Sequence, residues 1–126
     1  ETEDEFANTL ALVESLPVSH LHVFPYSRRP GTPAASMSAQ VPSALARERA
    51  ARLRAVGEEK TEAFARRFVG QTLEIVVEGG GRNGWRKGLT TNYLQVHFRG
   101  GDDLPGKALL VRLTGLEGEG LVGELV

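Results

Sequence analysis

The stretch Thr72-Leu73-Glu74-Ile75-Val76-Val77 decides the kind of fold in which this chain ends. Leu73, Ile75 and Val77 alternate with Thr72, Glu74 and Val76, the period of a strand that turns one face to a core. The same beat returns in Leu94, Val96 and Phe98, set opposite Tyr93, Gln95 and His97. Between these runs Asn83-Gly84 is a hairpin signal. Further on, Leu104-Pro105-Gly106 turns the chain into Ala108 to Leu113, and Gly115 to Gly120 turns it into Leu121 to Val126. Of 15 glycines only Gly31 and Gly57 precede Gly70, so the turn-formers gather where the strands are. Roughly five short strands over residues 70–126 predict a small five-stranded, OB-like β-barrel. Closure suits so short a stretch, because it removes the exposed strand edges.

Working back from the barrel, residues 38–69 read as a long linker helix. Pro42 is tolerated in a first turn, and the Ala-, Arg-, Leu- and Glu-rich sequence favours helix. Ala46, Ala50, Leu53, Gly57, Thr61, Phe64 and Phe68 step by four or three and draw one narrow apolar stripe. Gly57 marks an expected bend. Cations exceed acids along this helix, and two readings stand: a solvated connector, or RNA backbone contacts from Arg47 to Arg54.

Residues 1–37 are different again, and five of the six prolines lie before residue 43. Thr2-Glu3-Asp4-Glu5 fits a capping box. Phe6, Leu10 and Val13 recur at helical spacing before Pro17 stops the helix, and His20 to Phe24 reads as a short strand. A turn-rich loop follows from Pro25 to Pro33. One helix and one strand cannot cover both faces of that strand, so the segment reads as the terminal αβ unit of a larger α/β domain. Alone, it is expected to be partly disordered, rearranged, or paired as a dimer with a second copy. A start directly on a helix cap, without Met, reads as a cut.

A net charge of -1 removes any bulk electrostatic argument for nucleic acid, so that case rests on local patches. The chain has no cysteine, which excludes disulfides and cysteine-held zinc or iron–sulfur clusters within it. No apolar run approaches the roughly 18 residues of a membrane span. The acidic opening is the opposite of a targeting peptide, which points to a cytoplasmic protein with no membrane partner. Gly79 to Gly84 matches G-x-G-x-x-G, but strand and turn residues follow where a dinucleotide loop needs a helix, so it reads as a hairpin tip. His20 and His22 share a strand face without a third ligand, which favours packing over metal binding. No nucleophile elbow or acid–base carboxylate pair is present, and an enzyme cannot be argued from these residues alone.

The barrel offers more. Arg82, Trp85, Arg86, Lys87, Tyr93, His97 and Arg99 fall on or beside its first hairpin and third strand. Cations among aromatic faces suit RNA, since Lys and Arg neutralise phosphates while a ring stacks on an unpaired base. The plainer alternative, that Trp85 and Tyr93 cap the barrel core, stays open on spacing alone.

Three stretches together resemble one family, the radical-SAM methylthiotransferases. His20 to Ala34, with its Phe24-Pro25-Tyr26-Ser27-Arg28-Arg29-Pro30-Gly31-Thr32-Pro33 run, resembles the end of their radical-SAM barrel. Glu1 to Phe6 resembles the helix start after their Gly-Phe-Pro-Gly loop, and Phe68 to Glu78 resembles the opening of their TRAM domain. Gly88 to Val96 is most similar to the members acting on threonylcarbamoyl-adenosine beside the tRNA anticodon. The resemblance implies an α+β fragment: the remnant of a radical-SAM domain (1–37), a linker helix (38–69) and a TRAM barrel (70–126) that grips the anticodon arm of tRNA. It implies a parent enzyme that inserts a methylthio group at C2 of that adenine, using S-adenosylmethionine and two [4Fe-4S] clusters, and docking of this chain on the rest of the radical-SAM domain. It also places Tyr26, Ser27 and Arg28 at the edge of the cofactor pocket. The cluster cysteines are missing, so the chain itself is expected to carry no catalytic residue, metal or cofactor. The alternatives are a stand-alone TRAM-type RNA-binding protein or a protein-docking module.

Overall fold

Thr2 caps the first helix, α1 (Glu3–Ser15), as its sequence predicts: its hydroxyl accepts from the Glu5 N–H at 3.2 Å, and the Glu5 carboxylate accepts from the Thr2 N–H at 2.7 Å. The computed structural model describes residues 1–118 and 120–126. A 3-10 turn at Pro33–Ser36 follows, then α2 (Ser43–Arg66) and strands β1 (Thr72–Val77), β2 (Trp85–Thr90), β3 (Gln95–Arg99), β4 (Ala108–Glu117) and β5 (Gly120–Leu125). The chain forms two compact units, Glu1–Lys60 and Thr61–Val126. They divide inside α2.

In the first unit, Phe6 is 2% exposed beneath two guanidinium groups, Arg52 at 4.8 Å and Arg49 at 5.3 Å from its ring centroid. Arg49 also donates to the Glu1 carbonyl at 2.8 Å, and Arg52 donates to the Glu3 carboxylate at 3.0 Å. Lys60 reaches the open C-terminal end of α1, donating to the Glu14 and Leu16 carbonyls at 3.0 and 2.8 Å. Arg54 donates to the Val23 carbonyl at 3.2 Å. Three of the four arginines from Arg47 to Arg54 thus have partners inside the unit, which favours the connector reading of this helix over RNA backbone contact.

Two expectations are corrected here. His20 to Phe24 forms no strand. A strand is stable only with a neighbour to take its N–H and C=O groups, and among the described residues no strand pairs with it. Gly57 does not bend α2, which runs through it. It instead makes room for Leu21, whose Cβ would lie 3.1 Å from a Cβ added there.

The Arg52 guanidinium, hydrogen-bonded to Glu3, holds that carboxyl below its ordinary value of 4.5, with Arg49 adding to the pull. A depressed carboxylate stabilises the fold above its unfolded value, and this contribution is lost as pH falls through the folded value. Acid titration followed by NMR should therefore loosen α1 below pH 4.5, with the Phe6 ring signals moving first. Signals that stay fixed through that range would contradict the pairing.

The second unit is the barrel, closed in the order β1-β2-β3-β5-β4, with β3 and β5 parallel and the other pairs antiparallel. The OB-like barrel read from the sequence is present. Ile75, Val77, Leu94, Val96, Phe98, Val111, Leu113 and Leu121 fill it, each no more than 2% exposed. Ala65 joins this core from the last turn of α2, and Phe64 and Phe68 pack against it.

Candidate nucleic-acid interface

The β2–β3 hairpin sorts the candidate residues by strand parity. The register pairs Trp85 with Arg99, Lys87 with His97 and Leu89 with Gln95. Arg86, Gly88 and Thr90 are the buried residues of β2, and Val96 and Phe98 those of β3. Trp85, Lys87, His97 and Arg99 therefore share the outer face. The Arg99 guanidinium lies over the Trp85 ring at 4.9 Å from its centroid, a cation–π pair that holds the indole in a defined position. Lys87 faces Glu78 at 4.0 Å. Arg82 is exposed in the loop before β2.

Arg86 lies elsewhere. It is 8% exposed, donates to the Gly101 and Trp85 carbonyls at 2.9 Å each, and pairs with Asp102. A Cβ at Gly81 would lie 2.5 Å from its Nη1, so the loop before β2 closes directly over it. In the folded chain Arg86 ties the loop at Gly101 to the hairpin and has no free donor face to offer a phosphate. Sequence spacing grouped it with its neighbours. It shares its parity with Gly88 and Thr90, but nothing local marks that parity as the inner one.

Tyr93 stands apart from Trp85. It occupies the turn between β2 and β3, with φ 64° and 73% of its surface exposed. Four residues separate the Leu89–Gln95 pair beside that turn from the Trp85–Arg99 pair, about 14 Å of strand. The charge on this side is mixed, because Glu78 stands against Lys87. The hairpin is thus a surface of ring faces and scattered cations, not a phosphate-neutralising stripe.

Tyr26, Ser27 and Arg28 are exposed in the first unit. Tyr26 lines a cavity of about 570 Å³ together with Phe6, Phe24, Met37, Arg49 and Leu53; Ser27 and Arg28 do not. His20 hydrogen-bonds Ser19 through Nδ1 at 2.8 Å. Among the described residues no group of three or more His, Cys, Asp or Glu is placed to hold a metal ion. Among the described residues no helix is long and apolar enough to cross a membrane.

No protein-family profile matches the chain. It is similar to the threonylcarbamoyladenosine tRNA methylthiotransferase MtaB of Bacillus subtilis (strain 168), at 38% identity over 117 residues. That alignment takes in 90% of this chain and 26% of the relative, so the chain spans about a quarter of the length of the protein it matches. The resemblance read from the sequence is borne out at this level.

Proposed function

We propose that this chain is the C-terminal, tRNA-binding portion of an enzyme that methylthiolates C2 of threonylcarbamoyl-adenosine next to the anticodon. Its barrel would hold the anticodon arm and its first unit would dock on the rest of a radical-SAM domain. The observation that carries the reading is the 38% identity to the Bacillus subtilis methylthiotransferase over 90% of the chain. The outer face of the hairpin, with Trp85 under Arg99 and Lys87 beside His97, supports the RNA part. Such an enzyme would act in the cytoplasm, where it meets the tRNA pool.

The cofactors of such an enzyme do not fit this chain. Iron–sulfur clusters of this kind are held by cysteine thiolates, and the sequence has none. The chain on its own would bind RNA without reacting, and no chemical step is assigned to it.

A salt-titrated binding assay with tRNA and with its isolated anticodon stem-loop tests the reading. Both should bind at low salt with similar affinity, and affinity should fall linearly on a log–log plot as salt rises. Failure to bind tRNA at low salt would overturn the RNA role and promote a protein-docking barrel.

A further inference from the structure

We propose that the β2–β3 hairpin is a two-point clamp for an unpaired RNA strand, with Trp85 and Tyr93 stacking on bases at most about four nucleotide steps apart. The proposal rests on the RNA-binding reading above and adds which two rings hold the unpaired strand and how far apart they stand.

The first observation is the backbone of Tyr93. Its φ of 64° lies in the left-handed region, where glycine is at home and a bulky side chain is strained. The turn is held by bonds that do not need the ring. Tyr93 N–H donates to the Thr90 carbonyl at 3.1 Å, and the Leu94 N–H donates to the Thr90 hydroxyl at 2.9 Å. The Thr90 hydroxyl in turn donates to Asn92 Oδ1 at 2.5 Å. Glycine at position 93 would make the same backbone bonds with less strain. A strained residue kept where a cheaper one fits points to a use for its side chain, and this ring is 73% exposed.

The second observation is spacing. Trp85 and the turn of Tyr93 lie at opposite ends of the hairpin, about 14 Å apart along the strands. Stacked nucleotides advance about 3.4 Å each and splayed ones further, so the interval corresponds to at most about four steps. Lys87 and His97 form a cross-strand pair between the two ends, on the outer face with Trp85. The mixed charge of this side limits what phosphate contacts alone can contribute, which leaves ring stacking as the main source of affinity. A duplex keeps its base faces inside the stack, whereas a loop can splay them onto aromatic rings.

Trp85 is the only tryptophan of the chain and reports binding by its own fluorescence. Oligouridylates of two and six nucleotides, and an adenylate–uridylate duplex, would be titrated into the 126-residue chain and into its Tyr93→Gly and Tyr93→Asn variants, both suited to the left-handed backbone. The hexanucleotide should bind the unaltered chain about tenfold tighter than the dinucleotide, as expected for one added stacked base. Both variants should lose that advantage, keep dinucleotide affinity, and melt no lower than the parent. A length advantage that survives in the variants, or a duplex that binds as well as the hexanucleotide, would overturn the clamp while leaving RNA binding in place. Loss of all RNA binding, tRNA included, would instead overturn the reading on which the clamp rests.

Discussion

Gly123→Val should abolish the cooperative melting of the barrel or lower its midpoint by more than 10 °C, an order-of-magnitude figure from the entropy of unfolding of so small a domain. Position 123 is buried on β5, where it pairs with Phe98 on one side and Leu113 on the other. A Cβ there would stand 2.4 Å from the Val111 side chain and 2.9 Å from the Arg112 carbonyl. Neither neighbour can give way cheaply. Val111 is β-branched and 0% exposed in the core, and the carbonyl belongs to the strand that pairs with β5. Overpacking of this kind costs about 1–3 kcal/mol when a core can adjust, and more when backbone must move. A domain of this size has only about 3–10 kcal/mol of stability in total, so the substitution consumes much of it. Gly115→Ala is the matched control, because a Cβ there meets nothing within 4 Å. It should melt within a few degrees of the parent. Equal melting of Gly123→Val and the parent would show that the barrel is wider than its closure implies.

Three adjacent residues should give three different outcomes in tRNA binding. Trp85→Ala removes the ring under Arg99 and should cost about 1–3 kcal/mol of affinity, the worth of one stacked base. Lys87→Ala should lower the slope of log affinity against log salt by about 0.7–0.9, as expected for one phosphate contact. Arg86→Ala should leave that slope unchanged, because its donors are spent on the Gly101 and Trp85 carbonyls and on Asp102. Its effect should appear as thermal stability, since buried hydrogen bonds from a charged donor contribute about 1.5–3 kcal/mol each. Lost affinity with Arg86→Ala should follow only from the loosened Trp85. A drop in salt slope for Arg86→Ala matching that of Lys87→Ala would place its guanidinium on phosphate and contradict the inward orientation.

Much of the fold was legible because the signals are local. The capping box of Thr2 and Glu5 needs only four residues of chain, and it forms as read. The alternation through Leu73, Ile75 and Val77, and again through Leu94, Val96 and Phe98, names the inner face of each strand before any partner is known. The number of strands follows from glycine turns, which are equally local.

What the tertiary structure decided involves partners distant in sequence. Trp85-Arg86-Lys87-Gly88-Leu89-Thr90 carries no polarity alternation, and its more apolar parity, Trp85 and Leu89, lies outside. Its inner parity holds Arg86, Gly88 and Thr90, and at Gly88 the barrel has no room for a side chain: a Cβ there would meet the Ile75 side chain at 2.7 Å. Arg86 can turn inward only because the Gly101 carbonyl and Asp102, some 15 residues away, arrive to receive it. The segment from His20 to Phe24 has the composition of a strand and forms none, for want of a neighbour to take its backbone bonds. Composition and period thus named the core faces of β1 and β3, whereas long-range pairing determined which cations and rings of β2 stay on the outside, where the proposed RNA would meet them.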